Sequence, residues 1–223
     1  MAVLKIKQST IKTIIFDFDG TLAKLNIDFY QMREAVLELT LSYGINRDEL
    51  HTDFVLEMIN AATSILNQFS PQKAETFNYE ANEIIENIEI EAANNGELFD
   101  RTRELLGSIK FREISCGIIT RNCAKAIKIV FPDILSYCPV VVCRDDVNNV
   151  KPHPEHLNMA LKRLNRSSQN TLMIGDHPID IKTGRNAGTL TAGVLTGRFR
   201  NNDFIEAGAD LVLPQAADIL NLI

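Results

Sequence analysis

The stretch Ile11-Lys12-Thr13-Ile14-Ile15-Phe16-Asp17-Phe18-Asp19-Gly20-Thr21-Leu22 decides the architecture. A short β-branched and aromatic run, halted by Asp and Gly, reads as a buried strand running into a turn. The same grammar returns at 114–120, 140–143, 171–174, 190–194 and 211–213. Helical spacing fills most of the gaps, roughly at 123–130, 154–164, 178–186 and 203–207. Pro154 and Pro178 suit the first position of a helix, and Gly188 suits a helix stop. Strands alternating with helices predict an α/β fold, a doubly wound parallel sheet with helices on both faces.

Between the first two strands the alternation stops. Residues 26–97 hold no convincing strand, only apolar residues at helical spacing. Val36, Leu37 and Leu41 form one such set; Phe54, Val55, Met58, Ile59 and Ala62 a second; Ile84, Ile85 and Ile88 a third. Glu80, Glu83, Glu86 and Glu89 interleave with the last set as a solvated face. We expect a bundle of about four helices inserted after the first strand, with 26–97 as a cap and 1–25 with 98–223 as an α/β core. Charge follows the same division. Residues 26–97 carry three basic side chains, Arg33, Arg47 and Lys73, against fourteen acidic ones, while the whole chain has a net charge of −6.

With 223 residues, 45% apolar and 23% charged, the chain is long enough for a sizeable core and is not of disordered composition. No apolar run approaches the ~20 residues of a membrane helix, and no signal-peptide pattern opens the chain. Cys116, Cys123, Cys138 and Cys143 form no CxxC pair, so reduced thiols and a cytoplasmic location are expected. The acidic segment argues against nucleic acid as a partner. G-x-x-x-x-G-K-[ST], G-x-G-x-x-G and G-x-S-x-G are all missing, which leaves nucleotide loops and serine hydrolases without support.

Ligands of open α/β sheets bind beyond the carboxyl ends of the strands. There this sequence sets Asp17, Asp19, Gly20 and Thr21 after the first strand and Thr120, Arg121 and Asn122 after the second. Lys151-Pro152 follows the third, and Gly175-Asp176, with Asp180 four residues later, follows the fourth. Carboxylates at this density raise one another's pKa unless a cation shares the site. Hard oxygen ligands suit Mg²⁺, and Lys151, Thr120 and a helix capped by Asn122 suit a phosphate. His153 and His156 flank Pro154 and read as solvated helix-end residues. His177, beside Asp176, reads either as a tuner of the metal or as a plain loop residue.

In that order, Asp17-Phe18-Asp19-Gly20-Thr21-Leu22, Thr120, Lys151 and Gly175-Asp176…Asp180 resemble the four motifs of the haloacid dehalogenase-like hydrolases. The likeness leans toward the phosphoglycolate-phosphatase-like branch with an inserted helical cap. The resemblance implies that Asp17 attacks phosphorus and becomes an aspartyl-phosphate, with Asp19 as general acid and then base. It implies Mg²⁺ held by Asp17, the Asp19 carbonyl and Asp176, with Asp180 holding metal waters or orienting Lys151. It implies Thr120 and Lys151 on the phosphoryl oxygens, with Gly20, Arg121 and Asn122 lining the phosphate. The partner is expected to be a small phosphorylated metabolite, and the chain a monomer or homodimer. A phosphomutase on a sugar phosphate shares every motif, and a non-catalytic module on the same fold is the alternative of another class. One departure stands where the cap returns to the core: Leu98-Phe99-Asp100-Arg101-Thr102 replaces a turn that contains Pro and Gly in relatives.

Overall fold

A computed structural model describes residues 4–7 and 9–222. The outermost positions of the expected core, 1–3 and 223, and Gln8 lie outside the described residues. Two compact units are resolved: one joins the start of the chain to Leu25 with Gly96 onward, and the other is Asn26–Asn95. Among the described residues no helix is long and apolar enough to cross a membrane.

The first unit opens with a hairpin of β1 (Lys5–Ile6) and β2 (Ser9–Thr10), followed by β3 (Thr13–Phe16) and β4 (Ala23–Lys24). In the inserted unit come α1 (Phe29–Ser42), α2 (Val55–Phe69) and α3 (Pro71–Asn94). The first unit then resumes with β5 (Glu97–Leu98), α4 (Thr102–Phe111), β6 (Ser115–Ile119), α5 (Ala124–Val130), β7 (Val140–Val142) and α6 (Pro154–Leu164). It closes with β8 (Thr171–Gly175), α7 (Pro178–Asn186), β9 (Leu190–Val194), α8 (Asn201–Ala207) and β10 (Leu211–Leu213).

Six strands make one parallel sheet in the order β10-β9-β8-β3-β6-β7. The expected strands are all present, and the fold is the α/β one. On one face Ile15, Ile119, Val142 and Met173 pack with Leu157, Ala160 and Leu161 of α6. Ile14, Phe16 and Leu172 alternate with these and are also fully buried, so both faces are covered. Phe16 pairs with Ile118 on one side and Ile174 on the other. Asp17, one residue further, therefore stands level with Ile119 and Gly175 at the carboxyl edge of the sheet.

The inserted unit has its own core. Met32, Val36 and Leu37 from α1, Met58, Ile59, Ala62 and Leu66 from α2, and Ala74, Phe77, Ala81 and Ile85 from α3 are buried together. Each large side chain so buried is worth about 2 kcal/mol. Three α-helices and a single 3₁₀ turn (Arg47–Glu49) build it, where about four helices were expected. Chain length went instead into α3, whose 24 residues start from a Ser70 cap and Pro71. The helix α4 and the pairing of β4 with β5 were also missed, because neither carries a long periodic pattern.

Candidate active site

The loop after β3 is pinned by its own backbone. The Asp17 N–H donates to the Ile174 carbonyl at 2.8 Å, carrying the ladder one residue past the strand. Phe18 is fully buried, and its carbonyl accepts from the N–H groups of Leu22 (2.9 Å) and Ala23 (3.0 Å). The turn passes through Gly20 at φ +79°, a conformation that favours glycine. Asp17 Oδ2 accepts from the Thr21 hydroxyl at 3.2 Å, and Asp19 Oδ1 accepts from the Leu25 N–H at 3.0 Å.

Two distant parts of the chain meet Asp17 here. Lys151 Nζ donates to Asp17 Oδ1 at 2.5 Å and to Asp180 Oδ1 at 2.7 Å, and all three side chains are buried. The other oxygen of Asp180 accepts from the His177 N–H at 3.1 Å as part of the α7 cap. Asp176 is fitted between glycines: a Cβ on Gly20 would stand 2.3 Å from its Oδ2, and one on Gly197 would stand 2.1 Å away. The Thr196 hydroxyl, donating to the Gly20 carbonyl at 2.5 Å, ties these two loops together.

Carboxylate oxygens of Asp17, Asp176 and Asp180 lie within 4.8 Å of one another. Burial pushes Asp17 up to about 6, against the pull of Lys151. Burial also lifts Asp19 to about 6, and burial with the neighbouring Asp17 and Asp180 charges lifts Asp176 to about 8. Lys151 loses to burial but gains more from Asp17 and Asp180, and is held above its ordinary range. One lysine does not neutralise the cluster. Among the described residues none hydrogen-bonds the Asp176 carboxylate, so its hard oxygens fit a divalent cation. The Asp19 carboxylate is outside the trio.

At the end of β6, the Thr120 hydroxyl accepts from the Asn122 N–H at 3.1 Å, and Arg121 Nη1 donates to the Lys151 carbonyl at 3.1 Å. Asn122 does not cap the helix. That position belongs to Cys123, whose sulfur accepts from the Ala126 N–H, and α5 has only seven residues. The Asn122 Oδ1 accepts from the Cys123 N–H at 2.8 Å, and its buried Nδ2 has no partner among the described residues.

The sequence model of the haloacid dehalogenase-like hydrolases matches residues 14–194, which span Asp17, Asp19, Thr120, Lys151, Asp176 and Asp180. The chain is a haloacid dehalogenase-like hydrolase. An N-acetylmuramic acid 6-phosphate phosphatase of Pseudomonas putida is 28% identical, with 96% of each chain covered. A pyrophosphatase, PpaX, of Bacillus pumilus is 26% identical over 98% of this chain and 99% of its own. Among solved structures, one assigned to the haloacid dehalogenase-like hydrolases, from Bacteroides fragilis, superposes with a TM-score of 0.68 at 26% identity. It covers 94% of this chain and 99% of its own.

Within this hydrolase the departure at Leu98–Thr102 is accommodated by Leu22. The Phe99 N–H and the Thr102 hydroxyl both donate to its carbonyl, at 3.1 and 2.6 Å, while Arg101 pairs with Asp218. His153 is exposed and caps α6, as expected of a helix-end residue. His156 is a correction. It is fully buried, its Nδ1 accepts from the Lys151 N–H at 3.3 Å, and its Nε2 lies 3.0 Å from the Val142 carbonyl. Its place at the third position of α6, on the apolar side with Leu157 and Ala160, was the signal that could have found it. His177 caps α7 through Nδ1 and lies edge-on to Phe199, with ring centres 4.3 Å apart.

Proposed function

We propose that this hydrolase is a Mg²⁺-dependent phosphatase that cleaves a small phosphomonoester through an aspartyl-phosphate on Asp17. The observation that carries the reading is the single ammonium of Lys151 shared between Asp17 and Asp180 beside an unpaired Asp176. Asp17 and Asp176, with the Asp19 carbonyl, would hold Mg²⁺, which when bound supplies positive charge against the phosphoryl oxygens. Asp180, with both oxygens already accepting, orients Lys151.

Asp17 Oδ attacks phosphorus in line; the P–O bond to the alcohol breaks as the new P–O bond forms. The departing alkoxide takes its proton from Asp19, which burial keeps protonated up to about pH 6. Asp19, now a carboxylate, removes a proton from water as that water attacks the aspartyl-phosphate, releasing phosphate and restoring Asp17. Lys151 and Thr120 hold the phosphoryl oxygens, with the Nδ2 donor of Asn122 and Arg121 beside them. The inserted unit, Asn26–Asn95, is proposed as the cap that selects the substrate, since it leaves the chain a few residues after Asp17. Phosphoglycolate, sugar phosphates and nucleoside monophosphates are the substrate class, and the N-acetylmuramic acid 6-phosphate phosphatase among the relatives supports including the second of these.

Turnover of p-nitrophenyl phosphate, then of a panel of these compounds, with Mg²⁺ and with EDTA, tests the proposal. Phosphate release that needs Mg²⁺ and disappears in Asp17→Asn supports it. Isomerised sugar phosphate without net phosphate release would make the enzyme a mutase, and no turnover of any ester would sink it.

A further inference from the structure

We propose that His156 is a positioning residue that locks Lys151 and Thr120 into one frame, an inference that rests on the phosphatase reading. Because Nδ1 of the ring accepts the Lys151 N–H, the proton of the neutral imidazole must be on Nε2. Nε2–H therefore donates to the Val142 carbonyl at 3.0 Å. The same carbonyl accepts the N–H of Thr120, also at 3.0 Å. One buried ring thus connects the backbone of Lys151 to the carbonyl that anchors Thr120. These residues come from different strand ends, yet both are proposed to grip the transferring phosphoryl group.

A lysine reaches its target through a flexible four-carbon stem, so aiming Nζ between Asp17 and Asp180 demands a fixed Cα. The loop before α6 has no ladder to fix it. An aliphatic residue at 156 would fill the space and leave the buried Lys151 N–H without an acceptor. Burial, with Lys151 and Arg121 nearby, lowers the His156 pKa to about 4, so the ring remains neutral at ordinary pH and both bonds persist.

Displacements near 1 Å in a reacting constellation cost on the order of 100-fold in rate. His156→Leu, which fills the volume without either bond, should lower kcat by about 10- to 100-fold while KM moves less than about 3-fold. His156→Asn sets Oδ1 where Nδ1 stood, keeps an acceptor for Lys151, and should recover most of the loss. Wild-type kcat in His156→Leu overturns the proposal, as does an equal loss in the Leu and Asn variants. Turnover by the wild type and its loss in Asp17→Asn report separately on the phosphatase reading. If wild type turns over nothing, or His156→Leu does not fold, ¹⁵N spectra of the wild-type imidazole decide. A slowly exchanging Nε2–H at pH 5.5 supports the frame, and a protonated Nδ1 overturns it.

Discussion

The ammonium of Lys151 lies 2.5 Å from Oδ1 of Asp17, with both side chains buried. Removing one partner of a buried pair leaves the other charge uncompensated, at a cost of about 3 kcal/mol. Lys151→Met should therefore lose turnover and, metal-free at pH 7.5, about 3 kcal/mol of stability. The loss should shrink at pH 5, where Asp17 takes up a proton instead. Urea unfolding at the two pH values checks this; an equal loss at both would contradict it.

Asp17→Asn removes the proposed nucleophile and keeps its shape. Because the folded site holds the Asp17 pKa near 6, ionising it costs the fold stability at neutral pH. The variant should be inactive yet more stable than wild type in chelator, by several degrees in Tm. A folded Asp17→Asn enzyme with near-native turnover would end the covalent mechanism.

Metal-free protein should weaken as pH rises. Asp17 and Asp19 titrate near 6 and Asp176 near 8 in the fold, all above their usual 3.8. The folded state therefore binds more protons than the unfolded one, and this contribution is fully present below about pH 4 and gone above about 8. Mg²⁺ held as proposed would relieve the same repulsion, so the rise in Tm it produces should be larger at pH 8 than at pH 5. Melting curves with Mg²⁺ and with EDTA read this directly, and a rise independent of pH would count against these ligands.

His177 works in the opposite sense. Burial, with Arg198 and Lys151 nearby, lowers its pKa from 6.5 to about 4. Its contribution is complete above pH 6.5 and is lost as pH falls toward 4. His177→Asn keeps a capping side chain without the titration. It should match wild type at pH 7.5 and exceed it by about 2 kcal/mol at pH 4.5. Parallel stability curves for the two proteins would refute the assignment.

Gly197→Ala tests the fit of Asp176. A methyl group there would stand 2.1 Å from Oδ2, so the carboxylate must move. Activation by Mg²⁺ should need about tenfold more metal, with little change in Tm. An unchanged Mg²⁺ dependence would show that Asp176 has other room.

How much of this was readable in the sequence depended on the physics of each element. Buried parallel strands announce themselves as short apolar runs, and 11–16, ended by Asp17, and 171–174, ended by Gly175, were legible for that reason. The places of the candidate site residues were legible because strand ends dictate them; their roles remain those proposed above. The Cys123 cap was not, since sulfur is a poor acceptor and Asn122 beside it has the stronger capping tendency. His156 was misread because a helix start predicts exposure only on one side, and its facing side is set by α6 packing on distant strands. The helix α4 was hidden by an apolar stripe shared among Leu105, Leu106 and Ile109, too short to stand out.

The two-rung pairing of β4 with β5 has a consequence for how such a chain diversifies. Ala23 faces Leu98 and Lys24 faces Glu97, so the inserted helices depart and return at adjacent positions, with Asn26 turning out at φ +55°. To the remainder of the chain, the insertion is topologically a hairpin turn. A segment with this attachment is an exchangeable cassette: it can lengthen, shorten or be replaced without altering the register of any strand that bears the chemistry. Change in the inserted helices and change in the strand-end loops then fall on separable stretches of the gene.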